Sequence, residues 1–302
     1  MNHLSPIILF VYNRPIHTKQ VTEALRKNRN AGKSRLYIFS DGPRNNTVDI
    51  SKVAEVRELL KSIDGFDSIR IVHRRRHLGL ANSVIAGTGE VIYKHESVIV
   101  LEDDLVPSVN FLEFMNSALR FYKSKRQIFS ISGFSFPLRL PHNYNHQVYL
   151  HYRCSSWGWA TWNDRWTKVD WGVADFDEFR RCEDCVAKFN RGGEDLATLL
   201  NYQLRGKIDS WAIRWCYAHY KNDAFCVYPT VSKINNIGFD NSGTHKVKRT
   251  IDSRLDKGDL KSTFPTKIEV NREIVRQLNK QVAFPPNVRL INWIKHHLFL
   301  VI

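Results

Sequence analysis

Three consecutive acidic side chains, Glu102, Asp103 and Asp104, directly follow an apolar run that ends at Leu101. At the end of a strand, successive side chains point in different directions, so at least one carboxylate should face the space beyond the strand. A few carboxylate oxygens suit magnesium or manganese that is also held by the phosphates of a nucleotide. An exposed charged turn is the alternative, but the buried strand that leads into these acids favours a metal site.

Two further candidates each follow an earlier apolar run. Asp41, in Asp41-Gly42-Pro43, could accept hydrogen bonds from a base or a ribose. Arg14 could pair with a diphosphate through its planar guanidinium. Asp-Gly-Pro is also ordinary turn chemistry, and an arginine before a proline is also a plain loop residue. Their positions after strands decide in favour of ligand binding.

A basic run at 73–77 precedes Gly79, which opens a helical pattern. Cations beside a helix N-terminus form a natural anion site, in which Arg76 would contact a phosphate; a solvated basic loop is the alternative. The chain contains neither a GxGxxG motif nor a P-loop motif. Neither a dinucleotide-dependent enzyme nor a P-loop enzyme is therefore supported.

The elements that must position these residues alternate between strand and helix. Apolar runs at 6–12, 35–40, 68–72 and 97–101 are separated by helical patterns at 18–28, 51–63 and 79–95. Apolar strands joined by helical crossovers predict a parallel sheet covered on both faces, with ligands bound beyond the carboxyl ends of its strands. The residues that follow each run should therefore meet at one edge.

Beyond residue 104 the alternation is lost. The pattern predicts a helix at 110–123, a strand at 128–133, helical stretches at 157–166, 175–191, 193–205 and 210–221, and a loop-rich stretch at 229–245. The tail, 246–286, lacks strong periodicity and is predicted to be an extended arm. Three parts result: a nucleotide-sugar-binding α/β half (1–107), an acceptor and catalytic half (108–245) and a basic C-terminal extension (246–302).

Composition limits the class of protein. The 302 residues include 45 Lys and Arg against 30 Asp and Glu, a net charge of +15, with 43% hydrophobic residues. These values predict a globular chain with a sizeable core and an anionic partner. Five cysteines, an odd number, argue against a secreted disulfide framework; Cys182 and Cys185 have zinc-like spacing without a second pair, so free thiols are expected.

The order of the motifs resembles the donor half of GT-A type glycosyltransferases. The segment from Glu102 to Phe111 is similar to the Glu-Asp-Asp metal motif of N-acetylglucosaminyltransferase I and its relatives, which continues with a hydrophobic residue, a proline and a helix that contains phenylalanine. Downstream, Gly158-Trp159 resembles a Gly-Trp segment on the acceptor side of that family. The segment 208–211 resembles its Trp-Asp-Asp-Trp, with Ile208 in place of the first tryptophan and Ser210 in place of the second acid.

The resemblance implies a role for each matching residue. Asp104 would contact manganese (or magnesium), Asp103 and Glu102 would hold the nucleotide sugar, and Asp41 and Arg14 would lie on the uridine and the diphosphate. It also implies the GT-A fold class, a mixed, mainly parallel sheet flanked by helices, with a helical and loop-rich acceptor half and a basic tail. The likeness covers residues 6–245 and is specific at the acidic triplet.

Asp209 would then be the catalytic base of an inverting transfer, which needs a carboxylate to take the proton of the acceptor hydroxyl. The alternative is the N-cap of the helix predicted to begin at Ser210. Trp159 and Trp211 would contact the acceptor, although tryptophan also fills protein cores. His245, on a loop that contains glycine, could supply a cation or a metal ligand; a solvated histidine is its alternative.

The last fifteen residues, 288–302, combine aromatic and aliphatic side chains with Arg289 and Lys295, as an interfacial membrane segment would. A terminal helix on the core or a dimer contact is the alternative. Dispersed basic residues without interleaved aromatics argue against nucleic acid. The expectation is a cytoplasmic enzyme, peripheral on the inner face of the cell membrane, that uses a UDP-sugar, with N-acetylglucosamine as the candidate sugar, and a glycan or lipid-linked glycan acceptor. A basic nucleic-acid- or anionic-lipid-binding protein without transfer activity, or a nucleotidyltransferase, is the alternative.

Overall fold

The computed structural model describes residues 4–240, 255–257 and 263–284. The first hundred residues alternate strands with helices, as the apolar pattern predicts. The elements are β1 (Ile7–Val11), α1 (Pro15–Arg26), β2 (Arg35–Ser40), α2 (Thr47–Leu60), β3 (Ser68–His73), α3 (Leu80–Ile92) and β4 (Ser97–Glu102).

The remaining strands are short and lie far apart in sequence. They are β5 (Leu105–Pro107), β6 (Ile128–Ser132), β7 (Val148–His151), β8 (Trp159–Trp162), β9 (Phe225–Pro229) and β10 (Ile234–Asn236). The remaining helices are α4 (Phe111–Tyr122), α5 (Asn163–Trp166), α6 (Phe176–Phe179), α7 (Glu183–Phe189), α8 (Leu196–Leu204), α9 (Trp211–Lys221) and α10 (Arg272–Val282).

One eight-stranded sheet runs through the molecule in the order β3-β2-β1-β4-β8-β6-β9-β7. The first four strands are mutually parallel, and β8 joins them antiparallel to β4. A separate antiparallel pair, β5 and β10, lies beyond β4. The predicted fold class, a mixed, mainly parallel sheet flanked by helices, is confirmed. Strands from both sides of residue 107 belong to this one sheet. The division of the chain into three functional parts stays a prediction.

The core has two layers because alternate side chains of the buried strands point to opposite faces. Ile8 and Phe10 of β1 pack with α3 and with an aromatic cluster from β8 and α9. Ile7 and Leu9 pack on the other face with residues of α1, α2 and α4. A strand buried on both faces ends with its last side chains at a fixed place, which is what a site at the sheet edge needs.

Several predictions for the second half are wrong. Residues 159–162, predicted as helix, form strand β8 between β4 and β6, because tryptophans at 159, 162 and 166 mimic helical spacing while the backbone completes the sheet. The predicted helix at 175–191 is two short helices. Strand β10 lies in the stretch predicted to be loop-rich, and β7 and β9 lie where the pattern predicts no strand. Helix α10 lies in the predicted extended arm, where Ile274 and Leu278 are its buried residues.

The cysteine prediction is wrong for one pair. Cys182 and Cys185 form a disulfide at the start of α7, with Cα atoms 5.2 Å apart, because the spacing of three residues across a helix N-terminus brings the two side chains together. Cys154, Cys216 and Cys226 are free and buried, as expected. Within the described residues, no helix is both long and apolar enough to cross a membrane.

Candidate functional site

The residues that follow β1, β2, β3 and β4 meet at the carboxyl edge of the sheet. The backbone N–H of Tyr12, after β1, donates to the Asp103 carboxylate, after β4, at 3.2 Å. The Tyr12 and His77 rings, which follow β1 and β3, lie 4.9 Å apart. Parallel pairing of the four strands brings these segments together, since their carboxyl ends share one edge.

Arg14 lies between the two aspartates. Its Nη2 atom is 2.5 Å from Asp103 Oδ1 and 3.0 Å from Asp104 Oδ2, and all three side chains are largely buried. Although burial acts against the charged form, the two carboxylates raise the pKa of Arg14 above its ordinary value. The two carboxylates therefore share one cation, here the guanidinium of the chain itself.

A second segment covers Asp104 from the opposite side. Strand β10 pairs with β5, and the chain beyond it donates the Ile237 N–H to the Asp104 carbonyl at 2.9 Å. Gly238 approaches so closely that a Cβ there would collide with the Asp104 carboxylate. His17 of α1 contacts Asp240 at 3.2 Å and so ties this segment to the start of the helix.

Glu102 occupies a different environment from its neighbours. It is the last residue of β4, partly buried, and accepts a hydrogen bond from the Trp211 side chain. Burial, followed by the charges of Asp104 and Asp103, raises the pKa of Glu102 to about 8. The acidic triplet thus contains two carboxylates that share a cation and a third with an elevated pKa.

Asp41 holds the loop that leads into α3. Its carboxylate accepts from the backbone N–H groups of Leu78 and Gly79 at 3.0 to 3.1 Å and contacts His77 Nδ1 at 3.0 Å. Its role in the structure is therefore to position the loop after β3. Arg57 of α2 strengthens this arrangement by donating to the carbonyls of Asp41 and Arg74.

Asp209 lies at the same edge and is exposed. Its Oδ2 accepts from the Ala81 N–H, at the start of α3, at 3.3 Å. Gly79, with φ of +78°, leaves room for it, since a Cβ there would lie 3.1 Å from that oxygen. The capping alternative for Asp209 is wrong, because Ser210 is the N-cap of α9 and accepts from Ile213.

The remaining predicted residues are placed differently. Arg76 is exposed in the loop before α3. Trp159 and Trp211 are 1% and 2% exposed and lie 4.8 Å apart in a cluster with Trp166 and Trp215. Both therefore have the core role that the sequence left open, with Trp211 also bonded to Glu102. His245 and the segment 288–302 lie outside the described residues.

The carboxylate oxygens of this site fit magnesium or manganese that is also bound by a diphosphate. No group of three or more His, Cys, Asp and Glu side chains within the described part of the chain could hold a metal by itself. Asp103 and Asp104 nevertheless already share one cationic atom, so their oxygens converge on a single point. Magnesium or manganese that is also bound by a diphosphate needs no more than one or two protein carboxylates.

The sequence pattern does not single out three residues of the site, Arg57, Gly238 and Asp49. Arg57 is one of two basic residues on α2, and Gly238 lies in an irregular stretch. Asp49 accepts hydrogen bonds from Tyr12 and Asn13 and so joins the start of α2 to the segment after β1. The N-cap Asn46, three residues before Asp49, is a local signal, but its link to Tyr12 depends on the tertiary fold.

Comparison with known proteins gives distant structural likenesses. No family model matches the chain, and no curated protein matches it in sequence. A mannosyltransferase from Pyrobaculum calidifontis, solved with GDP-Man and Mn2+, is 11% identical, with 72% of this chain and 71% of that chain covered and a TM-score of 0.39. S. aureus TarS is 10% identical with a TM-score of 0.38; the match covers 75% of this chain and about a third (37%) of that one. What the site can do therefore follows from its own geometry.

Proposed function

We propose that this chain is a metal-dependent glycosyltransferase that moves a sugar, with N-acetylglucosamine as the first candidate, from a UDP-sugar to a hydroxyl of a glycan or lipid-linked glycan. The observation that carries the proposal is the convergence of Asp103 and Asp104 on one cation at the carboxyl edge of a parallel sheet. The motif likeness of Glu102 to Phe111 supports the same reaction class.

The acids would bind the donor through a cation. Asp104 and Asp103 would hold manganese or magnesium, which when bound neutralises the leaving diphosphate. Arg14, in contact with both acids, would then offer its planar guanidinium to a phosphate. Glu102, with its elevated pKa, can retain its proton and donate a hydrogen bond through its O–H to a sugar hydroxyl.

Asp209 is the proposed general base. It is exposed and lies at the start of α3, on the same edge as the acids, so an acceptor hydroxyl can reach it from solvent. A carboxylate across the anomeric carbon from the leaving group takes the hydroxyl proton as the new bond forms, and the sugar is transferred with inversion. The backbone N–H of Ala81 holds the carboxylate in place.

The experiment is a donor panel with the full chain, manganese and UDP-sugars, in which released UDP is measured. Asp209→Asn should reduce transfer at least about 100-fold, while Asp67→Asn, an exposed acid at the opposite edge of the sheet, should leave it unchanged. UDP release that survives in Asp209→Asn contradicts the assigned base. Release of pyrophosphate indicates a nucleotidyltransferase, and a lack of reaction with every nucleotide sugar rejects the proposal.

A further inference from the structure

The first turns of the helices at the carboxyl edge expose apolar side chains. Nine large apolar residues among the described residues are exposed, and five of them lie here, 37% to 70% exposed: Ile16, Val48, Ile50, Leu78 and Leu80. Ile16 lies in the first turn of α1, Val48 and Ile50 lie in the first turn of α2, and Leu80 begins α3, with Leu78 two residues before it. Aliphatic side chains exposed together in this way mark an interaction surface.

Contacts between their segments hold these three helix starts side by side. Tyr12, before α1, donates to Asp49 of α2 at 2.9 Å, and its ring lies 4.9 Å from that of His77, before α3. Arg57 of α2 also donates to Arg74 in the segment that leads into α3. The five aliphatic residues and the basic residues around them are called the edge surface below.

The three segments of the edge surface expose charges of one sign, and the exposed acid beside them, Asp209, belongs to a different segment and accepts from the Ala81 N–H. In the segments 12–20, 41–52 and 73–80, all of them described, the two acids, Asp41 and Asp49, are buried and hydrogen-bonded. The exposed lysine and arginine side chains of the same segments are Lys19, Arg44, Lys52, Arg75 and Arg76. The surface is thus aliphatic and basic, and it needs a partner that is apolar and anionic.

We infer that the edge surface docks on an anionic lipid bilayer. Aliphatic side chains enter the boundary between headgroups and acyl chains, and basic residues near an anionic surface add electrostatic attraction. Single-stranded nucleic acid would instead require exposed aromatic rings for stacking, and the one tyrosine of these segments, Tyr12, is half-buried and packed on His77. Charge complementarity and aliphatic character together favour the bilayer.

Docking in this orientation turns the candidate site toward the membrane. Asp104 and Asp209 open on the same sheet edge, so an acceptor whose lipid lies in the bilayer would present its headgroup directly to them. This consequence rests on the proposed function; the docking itself does not. It also assigns membrane contact to a described surface that is separate in sequence from residues 288–302.

The test is co-sedimentation of the full chain with phosphatidylcholine vesicles and with vesicles that also contain phosphatidylglycerol. Lys52→Glu with Arg75→Glu should weaken binding to the anionic vesicles at least about tenfold. The matched control is Lys27→Glu with Lys33→Glu, the same change of charge on exposed residues at the opposite edge, which should retain binding. Val48→Ser with Ile50→Ser should weaken binding without a change of charge.

Equal loss in both charge-reversal variants, or unchanged binding in all three variants, overturns the inference, since either places the contact elsewhere. Binding to an oligonucleotide but not to anionic vesicles also overturns it, in favour of nucleic acid. UDP binding is measured on the same preparations. If the edge variants lose vesicle binding while no preparation binds UDP, the docking surface stands and the proposed function fails.

Discussion

The strand-end site consists mainly of charged side chains, whereas the tryptophan cluster consists of packed aromatic rings. At the strand ends, charged side chains fix one another through ion pairs, as Arg14 does with Asp103 and Asp104. In the cluster, Trp159 and Trp215 are fully buried and fixed by packing. The contact between Trp211 and Glu102 joins the two regions.

This difference indicates that the tryptophan cluster gives the fold its rigidity and that the strand-end site carries the chemistry. A packed aromatic cluster cannot change its arrangement without a large loss of stability, so it is suited to position Trp211 and the start of α9. The charged site would exchange partners at a smaller cost if, as proposed, a metal ion replaces the guanidinium. We therefore expect substitutions in the cluster to lower stability and substitutions at the strand ends to lower function.

Trp215→Ala should have the largest effect. Trp215 is fully buried and packs on Phe129, Trp159 and Trp166, so its removal leaves a cavity that costs about 3 to 5 kcal/mol of unfolding free energy. Urea denaturation measures the loss. Trp171→Ala, a partly exposed tryptophan at the border of the same cluster, is the control and should lose less; equal losses would mean that the cluster is not the packed core described.

Asp209→Asn is the converse test at the strand ends. The rate of transfer should fall at least about 100-fold, because the amide cannot take the acceptor proton. Unfolding free energy should change by less than about 1 kcal/mol, since the side chain is exposed. Turnover and urea denaturation are measured on one preparation. A strongly destabilised variant would show that Asp209 contributes to stability rather than to the reaction.

The stability of the fold should fall at low pH because His219 is buried. Burial lowers the pKa of His219 from 6.5 to about 4, so the unfolded chain takes up the proton first as pH falls below 6.5. Stability is complete above pH 6.5 and falls below it, by about 2 kcal/mol between about pH 7 and about pH 5 for this group. Comparing denaturation of the wild type and His219→Gln at both pH values isolates this share; an identical pH dependence in both would contradict the assignment.

Arg14→Met should have the smallest and most specific effect. With the guanidinium gone, Asp103 and Asp104 lose the cation that competes for their oxygens, and the affinity for manganese without nucleotide should rise about five- to tenfold. Free manganese is measured by electron paramagnetic resonance. Arg14→Lys, which retains the charge, is the control, and an unchanged affinity in Arg14→Met would show that the arginine does not compete with the metal.

Position along the chain made the first half predictable. Apolar runs such as 35–40 match their strands because both faces are buried, and the acids after β4 lie at the sheet edge for the same reason. A parallel sheet converts sequence order into a shared edge, so Arg14 and Asp103 could be grouped without knowledge of any contact between them.

The second half was less predictable because its strands pair far from their sequence neighbours. Residues 159–162 form a strand because they pair with β4 on one side and with β6 on the other. The roles of Asp41 and Trp211 also depend on contacts across the fold, with the backbone at 78–79 and with Glu102. Residue type alone does not show that Asp41 supports this loop or that Trp211 packs in the core.

The central claim, that the strand-end acids hold a nucleotide through a cation, is tested most directly by calorimetric titration of UDP into the full chain with and without manganese. The account predicts that manganese tightens binding at least about tenfold and that Asp104→Asn loses this gain. UDP that does not bind under either condition, or that binds equally well to Asp104→Asn with manganese present, would contradict it.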